Sequence, residues 1–185
     1  MKRVILGLER LLANPEKYLH GSTLGLVVNQ TSLTGDGHSS ITQFRKNNRF
    51  QLTTLFAPEH GLRGVDQDMV SITDEIDPVS NLPVKSLYGN DVFSLAPPVD
   101  FLNEIDNLIF DIQDVGSRYY TFIYTLANCM QTCAKSNTRM IVCDRPNPIN
   151  GLDVEGNLIS EEFRSFVGQY PLPNRHGMTV GELAG

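Results

Sequence analysis

The chain has 185 residues, of which 41% are hydrophobic and 19% charged, and its formal net charge at pH 7 is -6. This length is enough for one domain with its own core, and the composition is typical of a globular protein. The acidic balance argues against a broad nucleic-acid surface, which requires a basic face. No apolar run approaches the ~20 residues of a membrane-spanning helix.

The N-terminal segment is predicted to form an amphipathic helix over residues 4–13 that ends near Pro15. The first residues imitate a signal peptide, but Glu9 and Arg10 interrupt the apolar stretch and no small-residue cleavage site follows. The sequence as given therefore predicts a cytoplasmic protein or a chain that lacks its export signal.

Strand and helix patterns alternate along the rest of the chain. Short apolar runs predict buried strands at 24–28, 53–57, 83–87, 108–112 and 140–143. Helices are predicted over 40–48, where Ser40 and Gln43 form a capping-box pattern, over 99–105 and over 119–136. Such alternation favours right-handed crossovers, and the continuous apolar strands fit a sheet covered on both faces. The sequence therefore predicts an α/β domain with three layers and a mainly parallel sheet.

The C-terminal part of the chain changes character. Residues 145–178 are punctuated by Pro and Gly and predict an extended excursion over the sheet edge. Thr179 and Glu182 repeat the capping-box pattern only a few residues before the sequence stops. We therefore expect residues 1–185 to be the N-terminal domain of a longer protein, truncated near 185; the alternative is a frayed natural C-terminus.

The three cysteines, Cys129, Cys133 and Cys143, do not suggest a disulfide framework. Cys129 and Cys133 share one face of a predicted helix, which suits half of a metal site or, as we favour, two buried core thiols. Dinucleotide, P-loop and nucleophile-elbow motifs are missing from the sequence, and no zinc motif supports a metal. The prediction is a site without metal or cofactor, in which carboxylates carry out hydrolysis.

Polar residues cluster directly after four predicted strands, at 29–31, 58–64, 113–120 and 144–148. In an open parallel sheet, the carboxyl ends of the strands lie at the edge where such folds bind ligands. Each loop alone could be a turn or a helix cap, but together they favour an active site.

Individual residues in these loops leave alternatives open. Glu59 is either an active-site carboxyl, with His60 and Arg63 close by, or a surface carboxylate or N-cap-like residue. Asp111 lies inside an apolar strand and requires a partner, for which Arg118 and Arg145 are candidates; a structural salt bridge is as good an explanation as a direct role.

Other residues in these loops can likewise be interpreted as structural or as functional. Asp114 either caps the following helix or faces substrate. Arg145, between Asp144 and Pro146, suits a fixed fork for a carboxylate or acetamido oxygen. Tyr119 and Tyr120 could form an aromatic wall, with one of them in the core, and His176 is a weaker candidate.

The loops carry a family resemblance. The motifs are FAPEHGLRG at 56–64, LPVKSLYG at 82–89, FDIQDVGSRYYT at 110–121, DRPNP at 144–148 and RHGMTVGE at 175–182. Their order resembles the DUF1343 family, which includes exo-β-N-acetylmuramidases of the NamZ type, and the resemblance runs from about residue 22 to the end.

This resemblance implies a Rossmann-like N-terminal domain, a second C-terminal domain and an active site in the cleft between them. The implied activity removes terminal, non-reducing β-linked N-acetylmuramic acid (MurNAc) from peptidoglycan fragments, so that the partners are a MurNAc-containing sugar or muropeptide and the missing C-terminal domain. This chain would supply one wall of the cleft and could be inactive alone. Many relatives are exported, which leaves localisation open, and the sequence does not predict an oligomeric state.

The resemblance also suggests residue roles. Glu59 is the candidate general acid, with His60 and Arg63 tuning or positioning it. The second catalytic group is Asp114, a residue of the missing half or the acetamido group of the substrate. The substrate-binding candidates are Arg118 and Arg145 for the lactyl carboxylate, Asn29, Asn147 and Tyr120 for the sugar, and Asp144 and His176.

Two rival hypotheses do not require catalytic residues in this chain. In the first, the same loops belong to a non-catalytic module that binds muropeptides or sugars. In the second, the domain is structural and its carboxylates pair internally.

Overall fold

The computed structural model describes residues 3–64, 75–88 and 95–185. The strands are β1 (Thr23–Val28), β2 (Gln51–Ala57), β3 (Glu75–Ile76), β4 (Pro83–Ser86), β5 (Asn107–Asp111) and β6 (Arg139–Val142). The helices are α1 (Gly7–Ala13), α2 (Pro15–Tyr18), α3 (Ser40–Arg45), α4 (Val99–Leu102), α5 (Phe122–Cys133) and α6 (Val180–Leu183), with a 3₁₀ turn at Glu161–Phe163.

The strands form one six-stranded sheet in the order β3-β4-β2-β1-β5-β6. All neighbouring pairs are parallel except β3 with β4. The central strand β1 places Val27 between Phe56 of β2 and Phe110 of β5. These pairings confirm the predicted α/β domain with a mainly parallel sheet.

Both faces of the sheet are covered, as the uninterrupted apolar strands predict. One core cluster joins Leu26 and Val28 of β1 to Leu8 of α1 and Phe44 of α3. Val27 lies in the other cluster, with residues of α4 and α5. Because successive strand residues point to opposite faces, a strand buried on both sides needs apolar residues at every position.

The predicted capping box at Ser40 and Gln43 is wrong. Ser39 precedes α3 and makes no side-chain cap, and the helix ends at Arg45 rather than near Asn48. Ser40 is fully buried, so its hydroxyl belongs to the interior rather than to a helix cap.

Other boundaries also shift. Helix α1 ends at Ala13 as predicted but starts at Gly7 rather than at residue 4. Pro15 begins the unpredicted α2, because proline is favoured in the first turn of a helix, where its missing N–H is not needed. The helix predicted over 119–136 starts at Phe122, and the exposed strand β3 was not predicted. Gly89, the last residue of the second family motif, lies outside the described residues.

The C-terminal pattern is confirmed. Thr179 Oγ1 accepts a hydrogen bond from the Glu182 amide, and Glu182 Oε2 accepts one from the Thr179 amide. Within 145–178 the chain is mostly irregular, and short bridges pair Arg175 with Ser117 and Glu155. The three cysteines are free and buried, as predicted. Among the described helices, none has the length and hydropathy needed to cross a bilayer.

Candidate active site

The loops that follow β1, β5 and β6 are tied together at the carboxyl edge of the sheet. The Ser32 hydroxyl donates to the Asp111 carbonyl, and the Gln113 amide donates to Thr31 Oγ1 at 3.0 Å. Arg145 Nη2 donates to the Leu33 carbonyl at 2.8 Å. The predicted convergence of these polar loops is therefore confirmed.

Glu59 links the loop after β2 to the start of α5. Its Oε2 accepts a 2.7 Å hydrogen bond from Thr121 Oγ1, and its side chain is half-buried. The following His60 and Gly61 have φ values of 68° and 74°, a left-handed turn that is costly for a residue other than glycine. This turn reverses the chain directly after the carboxyl-bearing residue.

Arg63 and Asp77 form an ion pair beside this turn. Arg63 Nη2 lies 3.0 Å from Asp77 Oδ1, and the Arg63 side chain is 55% exposed whereas that of Asp77 is 4% exposed. Burial alone would raise the pKa of Asp77, but hydrogen bonds from Ser80 and Arg63 outweigh it and lower the pKa. Asp77 is therefore an ionised and already neutralised carboxylate.

Asn29 is buried where β1 ends. Its Oδ1 accepts hydrogen bonds from the Thr31 amide at 2.9 Å and from the Thr31 hydroxyl at 2.6 Å. This pairing fixes the orientation of the carboxamide, and within the described part of the chain its Nδ2 has no hydrogen-bond partner.

Asp111 and Arg145 form a buried ion pair, which resolves the choice between Arg118 and Arg145. Arg145 Nε and Nη2 approach Asp111 Oδ1 at 2.9 and 2.7 Å. Burial raises the pKa of Asp111 to about 6, although the Arg145 charge and the Ser40 hydroxyl oppose the shift. Since Arg145 also holds the Leu33 carbonyl, its polar contacts favour a positioning role.

Asp114 and His176 form a second buried pair. Asp114 does not cap α5; its Oδ2 accepts from the Gly116 amide at 2.8 Å and lies 3.2 Å from His176 Nε2. His176 Nδ1 accepts from the Met178 amide at 3.2 Å, so a neutral ring carries its proton on Nε2. The pair joins the loop after β5 to the segment before α6.

Arg118 holds the irregular segment 145–178 by hydrogen bonds to its backbone. Its Nη1 donates to the carbonyls of Asn157 at 2.7 Å and Leu172 at 2.6 Å. The expectation that one of the adjacent tyrosines packs in the core is wrong, because Tyr119 is 53% and Tyr120 45% exposed.

Asp144 and Asn147 hold the segment that leads into α6. Asp144 Oδ1 accepts from the Gly181 amide at 2.7 Å, and its Oδ2 accepts from Thr179 Oγ1 at 3.1 Å. Asn147 Nδ2 donates to the Met178 carbonyl at 2.9 Å. These contacts are structural, and a role in substrate binding stays a prediction for both residues.

The predicted site residues therefore separate into two groups. Glu59, His60, Arg63 and Tyr120 are partly or largely exposed, whereas Asp114, Arg118, Arg145 and His176 are buried and braced. Thr121 was not predicted as a site residue, although threonine is common immediately before a helix. Among the described residues, no group of three or more His, Cys, Asp and Glu side chains could hold a metal ion.

Comparison with known proteins identifies a matching family and a similar protein. Residues 24–185 match the family described as exo-beta-N-acetylmuramidase NamZ, N-terminal. The chain is 42% identical over 182 residues to peptidoglycan beta-N-acetylmuramidase NamZ of Bacillus subtilis (strain 168), covering 98% of this chain and 43% of that protein.

Two crystal structures of DUF1343 family proteins from Bacteroides fragilis NCTC 9343 share the fold. The first matches with a TM-score of 0.86 and 38% identity over 99% of this chain, and the second with 0.78 and 34% over 98%. The chain covers 46% of each of them, so it spans less than half the length of these relatives. The sequence match and the shared fold show that the chain belongs to the NamZ N-terminal family, the DUF1343 family that the loop motifs resemble.

Proposed function

We propose that this chain is part of a glycoside hydrolase that removes terminal, non-reducing β-linked MurNAc from peptidoglycan fragments. The curated relative from Bacillus subtilis is named a peptidoglycan beta-N-acetylmuramidase, and it supports the substrate class. The observation that carries the proposal is Glu59, a partly exposed carboxyl at the ligand-binding edge whose one oxygen is fixed by Thr121.

In this mechanism Glu59 is the general acid that protonates the leaving glycosidic oxygen. Thr121 holds Oε2, which leaves Oε1 to carry the proton toward the substrate. His60, held in its left-handed turn, and Arg63 position the group and the sugar. Proton transfer by a positioned carboxyl typically contributes about 10²–10⁴-fold to the rate.

The second catalytic group comes from elsewhere. Asp114 is only 4% exposed and lies against His176, so it is poorly placed to reach a sugar. The remaining sources are the acetamido group of the substrate and a residue of a second domain. In the latter arrangement this chain forms one wall of an active-site cleft, and the rest of the protein forms the other.

A chromogenic β-MurNAc glycoside tests the proposal, with the matching β-GlcNAc glycoside as the control substrate. The assay is run on this chain and on the protein at the full length of its relatives. Release from β-MurNAc by the full-length protein, with little release from β-GlcNAc, is the expected result. Tight MurNAc binding without any release would instead favour the sugar-binding module.

A further inference from the structure

A pocket of about 360 Å³ opens between the loops that follow β1 and β2. Its polar lining includes Asn29, Thr42, Arg63 and Asp77, and its apolar lining includes Ile41 and Leu62. Its volume is in the range of small-molecule sites. Leu62 and Arg63 belong to the loop that also carries Glu59.

Arg63 brings N–H donors to this pocket in addition to the one that it gives to Asp77. Asp77, its one acidic lining residue among those described, already accepts hydrogen bonds from Arg63 and from the Ser80 amide. Arg63 gives Asp77 one N–H group, and the rest of its half-exposed fork has no hydrogen-bond partner among the described residues. The fork geometry of a guanidinium matches that of a carboxylate.

Asn29 adds a donor that has no partner among the described residues. The residue is 6% exposed, and Thr31 occupies its Oδ1, so the unpaired atom is the N–H donor rather than the oxygen. Because Asn29 lines the pocket and buried polar groups are almost always hydrogen-bonded, this N–H group is a candidate donor to a ligand acceptor.

The other two arginines of the site have internal partners. Arg145 contacts Asp111 and the Leu33 carbonyl, and Arg118 contacts two backbone carbonyls of the excursion. Both side chains are buried, whereas that of Arg63 is exposed to the pocket.

We propose that this pocket binds a carboxylate of the sugar substrate, with Arg63 as its charge partner and Asn29 as a hydrogen-bond donor. The inference rests on the proposed function and makes these two residues determinants of specificity. In MurNAc the carboxylate belongs to the lactyl ether, which GlcNAc lacks. In a muropeptide the lactyl group is an amide, and the carboxylates belong to the peptide.

The test measures binding, so that it is independent of turnover. Affinities for methyl β-MurNAc, its lactyl methylamide and methyl β-GlcNAc are determined by calorimetry with the full-length protein. Arg63→Gln removes the cation, and Asn29→Asp keeps the oxygen that Thr31 binds while it replaces the N–H donor. Asp77→Asn is the matched control, because it breaks the ion pair but leaves the guanidinium.

We expect the unmodified protein to bind methyl β-MurNAc about tenfold tighter than the other two sugars, a modest difference in binding free energy. Arg63→Gln and Asn29→Asp should remove this preference, while Asp77→Asn should retain it. Thermal unfolding confirms that each variant is folded.

Two results would overturn the proposal. One is a MurNAc preference that survives both Arg63→Gln and Asn29→Asp. The other is an equal loss in Asp77→Asn, which would mean that Arg63 acts by holding the loop. If β-MurNAc hydrolysis persists in either case, the proposed function stands without this pocket; if no sugar binds and none is hydrolysed, both fail.

Discussion

Thr121 Oγ1 donates a 2.7 Å hydrogen bond to Glu59 Oε2, and this contact connects two strand-end loops that are 62 residues apart in the sequence. Thr121 itself is 9% exposed and precedes the first turn of α5. The rigid helix therefore sets the orientation of a carboxyl that lies on a loop. Catalytic groups held in this way need not be reoriented when substrate binds.

Removal of this hydroxyl should lower kcat and leave KM nearly unchanged. A hydrogen bond of this kind contributes about 1–2 kcal/mol, which corresponds to roughly tenfold in rate if it orients the acid in the transition state. Thr121→Val tests the effect in β-MurNAc hydrolysis, and Thr121→Ser should restore most of the activity. Thr132→Val on the same helix, whose hydroxyl donates to the Asn128 carbonyl, is the control. An equal loss in both valine variants would contradict a positioning role.

The buried Asp111 makes stability depend on pH. Burial raises its pKa to about 6 in the folded protein, above the ordinary value for an aspartate. A carboxyl with a raised folded pKa stabilises the protein at low pH, and this contribution is lost as the pH rises through the folded pKa.

The free energy of unfolding, measured in urea, should therefore fall relative to that of Asp111→Asn by about 1 kcal/mol between about pH 5 and about pH 8. Other titrating groups are shared by the two proteins and cancel in the difference. A difference that is constant, or that grows with pH, would show that the Arg145 charge outweighs burial.

Asp114 and His176 should behave as a coupled structural pair. Residues in direct contact show non-additive effects, so the double-mutant cycle of Asp114→Ala and His176→Ala should give a coupling energy of about 1 kcal/mol or more. The exposed pair of Arg164 and Glu161, 2.9 Å apart, provides a reference cycle with coupling near zero. Additive losses at 114 and 176 would mean that the 3.2 Å contact contributes little.

The thiols should be unreactive in the native protein. Burial raises the pKa of Cys133 to about 11 and the pKa values of Cys129 and Cys143 well above the ordinary value, which suppresses the reactive thiolate. Dithionitrobenzoate should therefore label none of the three cysteines at about pH 8 and all of them after unfolding in urea. Rapid labelling of the folded protein would contradict the buried placement.

The sheet was predictable where burial leaves a strong pattern. β1 and β5 are apolar because helices cover both faces of these strands, and the resulting apolar runs predicted both strands from the sequence. β3 has only two residues, both exposed, so it carries no such signal. Ser40 has the residue type of a helix cap, but burial beside Asp111 gives it another role, which local spacing does not reveal.

The convergence of the polar loops was predictable, but the contacts between them were not. The loops lie together because parallel strands share a carboxyl edge. The pairings of Glu59 with Thr121 and of Asp114 with His176 join distant parts of the chain, and no local spacing encodes them. Exposure also separates Arg63 from Arg118 and Arg145, a distinction that residue type alone does not make.

The most direct test of the account is the rate of β-MurNAc glycoside hydrolysis by Glu59→Gln in the full-length protein. Glu104→Gln is the matched control, because Glu104 is an exposed carboxylate just before β5, at the opposite end of the strands. We expect Glu59→Gln to lower kcat by at least about 10²-fold while MurNAc binding persists, and Glu104→Gln to keep full activity. Full activity in folded Glu59→Gln would contradict the central role of this carboxyl.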